Sequence, residues 1–116
     1  MEISSSKNSD VVFVYVTFPN RDFARKIGRE AVEARLAACA NIFSDHESIY
    51  QWKGELTSQS ECAVIFKTSD SRLDELSKHI VRQHPYETPC LAVLSPAQIN
   101  EAFAAWVRSE TTTAQK

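Results

Sequence analysis

The sequence predicts an α+β sandwich, a four-stranded antiparallel sheet with two helices on one face. Strand-like apolar runs and stretches of helical periodicity follow one another in the order β-α-β-β-α-β. With right-handed crossovers that order closes into two layers. A β-hairpin too long for one small core further predicts that the sheet reaches beyond its own subunit.

Val11–Phe18 is a continuous apolar, β-branched and aromatic run, the pattern of a central strand covered on both faces. Pro19-Asn20 ends it, and Asn20 suits a helix N-cap. Over residues 22–38, Phe23, Ala24, Ile27, Ala31, Ala34 and Ala38 recur at helical spacing, with Arg25, Arg29, Glu30 and Glu33 mostly opposite. Gly28 weakens this helix slightly or admits a close backbone. Residues 39–52 read as a long strand, Lys53-Gly54 as a turn, and residues 55–67 as the returning arm. Each arm is about 13 residues, against a usual strand of about 5 or 6. The outer halves are polar at 44–48 and 57–60, yet carry Ile49, Tyr50 and Trp52. Unpaired strand edges invite association, so these three residues are expected to pack on another copy of the chain. The alternative is a shorter hairpin with an irregular loop at 44–48.

Residues 69–83 form the clearest helix. Leu73, Leu76, Ile80 and Val81 make its apolar stripe, Ser71-x-x-Asp74 resembles a capping box, and Pro85 stops it. Residues 90–94 are the last core strand. Ile99, Phe103, Trp106 and Val107 then mark a short amphipathic helix, capped by Ser95 or Asn100. The result is a ferredoxin-like sandwich with one C-terminal helix added. Residues 11–108 are its single domain, residues 1–10 a polar disordered tail and residues 109–116 a frayed end.

A net charge of −2, with 13 basic residues scattered among 15 acids, argues against a nucleic-acid partner, which needs a basic face. Cys39, Cys62 and Cys90 are odd in number and form no C-x-x-C pair. That fits a reducing cytoplasm rather than a disulfide framework or a structural zinc site. The first ten residues lack the apolar stretch of a signal peptide. No segment approaches the roughly 20 apolar residues that span a bilayer, so no membrane partner is expected.

His84-Pro85-Tyr86-Glu87-Thr88-Pro89 places an imidazole, a phenol and a carboxylate between two rigid prolines. Each proline fixes its own φ and biases the residue before it toward extended backbone, so the polar groups are held without regular structure. A helical two-histidine metal site wants i and i+4. His79 and His84 are five apart, about 140° out of phase at 3.6 residues per turn. A looser copper or zinc site combines His84 with Glu87 or a thiol such as Cys90. All three cysteines adjoin apolar runs and read as inert core filler. Two glycines, Gly28 and Gly54, cannot build a phosphate cradle, and residues 61–67 lack the basic, aromatic signature of an RNA-binding strand. No catalytic constellation or organic cofactor is implied. Glu61 and Lys67, on one strand face, join Tyr50, Tyr86 and Glu87 as the remaining polar candidates.

Residues 36–41 (LAACAN), residues 48–54 (SIYQWKG), Glu61 with Lys67-Thr68, residues 84–89 (HPYETP) and Trp106 together resemble the CutA family of divalent-cation tolerance proteins. The resemblance implies a homotrimer of ferredoxin-like subunits, a role in tolerance to copper and other divalent metals, and no established reaction. The family also looks like the trimeric PII signalling proteins, which makes a signalling or protein-interaction module the alternative. Copper ligands attributed to some bacterial members fall at Val16, Gln83 and His84 of this chain, so only His84 is retained. Trp52, Glu61, Lys67, His84, Tyr86 and Glu87 are the shared polar set, expected at subunit boundaries. His84 and Glu87 are the expected metal donors; Trp52, Glu61, Lys67 and Tyr86 the expected cleft residues.

Overall fold

The computed structural model describes residues 10–112. The elements are β1 (Val11–Phe18), α1 (Arg21–Glu33), β2 (Cys39–Ile42), β3 (His46–Trp52), β4 (Glu55–Ser69), α2 (Asp70–Gln83), β5 (Leu91–Leu94) and α3 (Glu101–Glu110). The sheet runs β2-β4-β1-β5, all antiparallel, and β3 pairs with β4 beyond the other strands. β4 is the spine. Its inner half pairs with β1 from Phe18↔Cys62 to Val11↔Ser69, and its outer half pairs only with β3, from His46↔Glu61 to Trp52↔Glu55.

Alternation along β1 sorts its side chains to two faces. Val14, Val16 and Phe18 join Val64 and Phe66 against Ala24, Ile27 and Ala31 of α1 and Leu76 and Ile80 of α2. On the other face α3 brings Ile99, Ala104 and Val107 against Val11 and Ala38, with Phe13 and Phe103 at the edge. The Lys67 ammonium emerges between those two rings, 5.2 Å from Phe13 and 5.4 Å from Phe103, a cation–π arrangement.

Asn20 caps α1 as expected, its Oδ1 accepting the Phe23 N–H at 3.0 Å. Gly28 lets α1 lie close on β2, where an added Cβ would meet the Ala40 Cβ at 3.3 Å. The helix stops at Glu33 rather than residue 38. Arg35 turns left-handed (φ 60°), and Leu36 and Ala37 fold back to share the Ala31 carbonyl. That sends Leu36 and Ala37 into the core.

The long strand expected over 39–52 is two strands. Ile42 faces Val64 and His46 faces Glu61, so residues 43–45 oppose only residues 62–63, a bulge of one. Phe43 stays tied there: its N–H donates to the Ala63 carbonyl, and its own carbonyl accepts from Cys62 Sγ and Arg21 Nη1. The turn at the ribbon tip is as expected. Lys53 (φ 51°) and Gly54 (φ 82°) are both left-handed, the signature of a type I′ hairpin.

α2 starts two residues earlier than its capping-box pattern implied. Ser69 is the N-cap, and its hydroxyl bonds Ser71 and Thr111 instead of the helix backbone. α3 takes Asn100 as its cap and runs to Glu110. Ser109 and Glu110, expected in a frayed end, are helical instead, and Thr111 is buried and donates to the Val107 carbonyl at 2.8 Å. Asp10 is tied to Arg108 at 3.0 Å. The rest of both expected tails, residues 1–9 and 113–116, lies outside the described residues.

Candidate functional site

The proline-bounded loop grows from the end of α2. His84 is the C-cap, its N–H donating to Ile80 at 2.9 Å, and its extended backbone (φ −71°, ψ 135°) is what a residue before proline adopts. The side chain turns back to the sheet. Nε2 donates to the Thr17 carbonyl at 2.7 Å, and Nδ1 accepts the Tyr86 N–H at 3.1 Å. Together these partners select the neutral Nε2–H tautomer. The ring stacks on Phe18, centroids 4.7 Å apart and planes 15° from parallel, and the residue is 8% exposed. Burial lowers the imidazole pKa despite the Thr17 bond and the Glu61 charge.

Both His84 nitrogens are engaged within this chain, so a metal would bind the ring only by displacing one of these partners, and the two bonds tie the loop to β1.

Tyr86 carries the loop across to the ribbon. Its hydroxyl donates to Glu61 Oε2 at 2.7 Å and accepts from Gln59 Nε2 at 3.0 Å. Ser48 donates to Glu61 Oε1 at 2.7 Å, and Tyr50 donates to Gln59 Oε1 at 2.6 Å. Glu61 thus collects one hydroxyl from β3 and one from the loop. Burial, followed by the hydrogen bond to the Glu61 carboxylate, pushes the Tyr86 phenol well above its ordinary value. The phenol keeps its proton and remains a donor.

Between loop and ribbon lies a cleft of about 570 Å³, with Tyr50, Trp52, Glu61, Tyr86, Glu87 and Cys90 on its walls. Four expected site residues, Trp52, Glu61, Tyr86 and Glu87, come together here. Lys67 does not. It shares a strand face with Glu61, but six residues of strand place it about 20 Å away, between Phe13 and Phe103. Cys90 also departs from expectation. It is exposed, because it follows Pro89 and precedes β5, whereas Cys62 is buried with its thiol pushed up first by desolvation. Desolvation raises the half-buried Cys39 thiol too, opposed by the charge of Lys67.

Thr17, Ser48 and Gln59 were not among the residues picked from the sequence. A usable signal existed for two of them, since Gln59 and Glu61 alternate on one face of a strand whose partner positions are polar. The third supplies only a carbonyl, which any residue has. At the ribbon's outer end Ile49, Trp52 and Leu56 are 64%, 61% and 73% exposed, Ile49 and Leu56 on one face of the ribbon and Trp52 on the other, beside Tyr50.

The cleft of one chain does not fit a divalent metal. Among the described residues no three His, Cys, Asp or Glu side chains converge to hold one. Val16, where the resemblance would put a copper ligand, is fully buried, and Gln83 is occupied by Lys26, whose ammonium it accepts at 2.7 Å.

Residues 12–110 match the family model of the CutA1 divalent ion tolerance protein. The chain is 41% identical over 98 residues to the divalent-cation tolerance protein CutA of Thermotoga maritima, covering 84% of this chain and 96% of that one. It is 36% identical over 107 residues to the chloroplastic protein CutA of Arabidopsis thaliana, covering 92% of this chain but spanning only 59% of the plant protein. In three dimensions it is similar to CutA from Synechococcus elongatus (TM-score 0.88, 32% identity, 96% of each chain). It is also similar to CutA1 from Ehrlichia chaffeensis (TM-score 0.87, 34% identity, 90% of this chain and 98% of that one). The chain belongs to the CutA family of divalent-cation tolerance proteins.

Proposed function

We propose that this chain serves divalent-cation tolerance as a cytoplasmic homotrimer, with the cleft between loop and ribbon as its ligand site. The observation that carries the reading is the Glu61 junction. It fastens a projecting ribbon with an exposed apolar tip to the stiff loop, and so sets a concave site beside a surface that calls for a second copy. Ile49, Tyr50 and Trp52 are the interface side chains in this reading. Handling of Cu²⁺ or another divalent ion draws on Glu87 and Cys90, which are both exposed on the cleft wall, completed by donors from a neighbouring copy. Free thiols at Cys39, Cys62 and Cys90 support a reducing compartment.

Light scattering on the purified protein tests the assembly. A mass near three times 13.1 kDa is expected, and a stable single copy would overturn the reading. Cu²⁺ titration of wild type and Glu87→Gln tests the donor assignment; equal affinities remove Glu87 from it.

A further inference from the structure

We propose that the cleft between loop and ribbon takes an organic cation, an alkylammonium or guanidinium group held between aromatic rings and carboxylates. This rests on reading that cleft as the ligand site and names the class of ligand. Tyr50, Trp52 and Tyr86 give the lining three aromatic rings, and Glu61 and Glu87 give it two carboxylates. Among the described residues that line it none is lysine or arginine; the Lys53 ammonium lies beside the lining residue Trp52.

The carboxylate at the centre is fixed without being neutralised. Ser48 and Tyr86 each donate one hydroxyl to Glu61. Both donors are uncharged, and each oxygen retains a second lone pair. Because the Tyr86 phenol holds its proton, it adds no charge of its own. The ammonium of neighbouring Lys53 sits 5.8 Å from the Trp52 ring centroid, so this indole already carries a tethered cation, the position an incoming amine would take over. Indole is the ring that binds cations best. The volume, about 570 Å³, is that of a small-molecule site.

Other ligand classes use less of this lining. A bare divalent ion leaves three rings unused and lacks the converging donors it needs. An anionic nucleotide meets two carboxylates and no cation. An amine or guanidinium with a short alkyl chain uses both the charge and the rings.

The test is calorimetry on the intact assembly at physiological ionic strength, with spermidine, agmatine and ATP as probes. Two-dimensional NMR follows the indole N–H peaks, with Trp52 identified from Trp52→Phe. The expected result is saturable binding of spermidine or agmatine with a shift of the Trp52 indole, and no shift with ATP. Glu87→Gln and Trp52→Leu are each expected to weaken the amine about tenfold, the scale of one partly shielded charge or cation–π contact. Glu87 is an exposed loop residue, so its variant reads binding even if Trp52→Leu disturbs the ribbon. ATP moving the Trp52 indole, no binding of either amine, or affinities unchanged in both variants would each overturn the proposal. Light scattering and Cu²⁺ titration on the same samples keep the two readings apart. A trimer that binds Cu²⁺ but neither amine refutes this inference alone, and a monomer that binds the amines supports it while refuting the assembly.

Discussion

Replacing His84 with alanine separates a positioning residue from a metal ligand. The substitution removes a ring stacked on Phe18, strips the Thr17 carbonyl of its donor and leaves the Tyr86 N–H without an acceptor. Orphaning this part-buried carbonyl costs about 1–3 kcal/mol. Lost ring packing against a buried phenylalanine adds about 1 kcal/mol. The expected loss is therefore about 3 kcal/mol per chain, read by urea unfolding at one fixed protein concentration, because association shifts apparent stability. The pH dependence carries a second signature. The folded imidazole is held below its ordinary value of 6.5 by burial, so the unfolded chain binds the extra proton first. Stability from His84 is complete above about pH 6.5 and is lost as pH falls from there toward the depressed folded value. The gap between wild type and His84→Ala should shrink over that interval. Cu²⁺ affinity of the folded variant should match wild type, since neither ring nitrogen is free. A stability loss under about 1 kcal/mol, or a clear loss of copper affinity in a folded variant, would refute the positioning role.

Three further perturbations probe the ribbon and the helical layer. Tyr86→Phe deletes the donor to Glu61 and the acceptor for Gln59, costing about 1 kcal/mol; amide exchange should quicken in residues 46–61 but not 62–69, and uniform protection would mean the ribbon does not depend on the loop. Gly54→Ala places a side chain at φ 82° with no heavy atom within 4 Å of the new Cβ, so its cost is backbone strain of about 1 kcal/mol; an unchanged denaturation midpoint would contradict the left-handed turn. Glu30 titrates below its ordinary 4.5, first through the Gln83 amide and then, against a burial penalty, through Lys26. Its stabilisation is present above pH 4.5 and lost as pH falls through the folded value. Gln83→Ala should raise the Glu30 value seen by carboxyl NMR, and an unmoved titration would remove the amide from the account.

What the sequence could disclose was local. The apolar run of β1, the Asn20 cap and the Lys53-Gly54 turn depend on neighbours a few residues away, and each is found where its pattern predicts. The bulge at 43–45 depends on register against a strand twenty residues later, so no local pattern marks it. Lys67 lies outside the cleft of its own chain for a related reason. Alternation assigns a side chain to a face but says nothing of distance along it. His84 shows the same limit more sharply. Its residue type makes it an apparent ligand, but its availability is decided by the carbonyl of Thr17, 67 positions away in the chain.

The Glu61 junction explains why so much of the site sits in one loop and one ribbon. Neither element has a core of its own: β3 pairs with β4 alone, and residues 84–90 form no regular structure. A two-stranded ribbon is marginal by itself in water, and a loop without a partner has only its prolines to hold it. Glu61 answers both needs with one carboxylate, taking a hydroxyl from Ser48 within the ribbon and one from Tyr86 on the loop. His84 then anchors the loop's other end to β1. The walls of the cleft and the direction of the ribbon are therefore fixed by the same few bonds. Anything that repositions Tyr86 from within the cleft must also bear on where Ile49, Trp52 and Leu56 point.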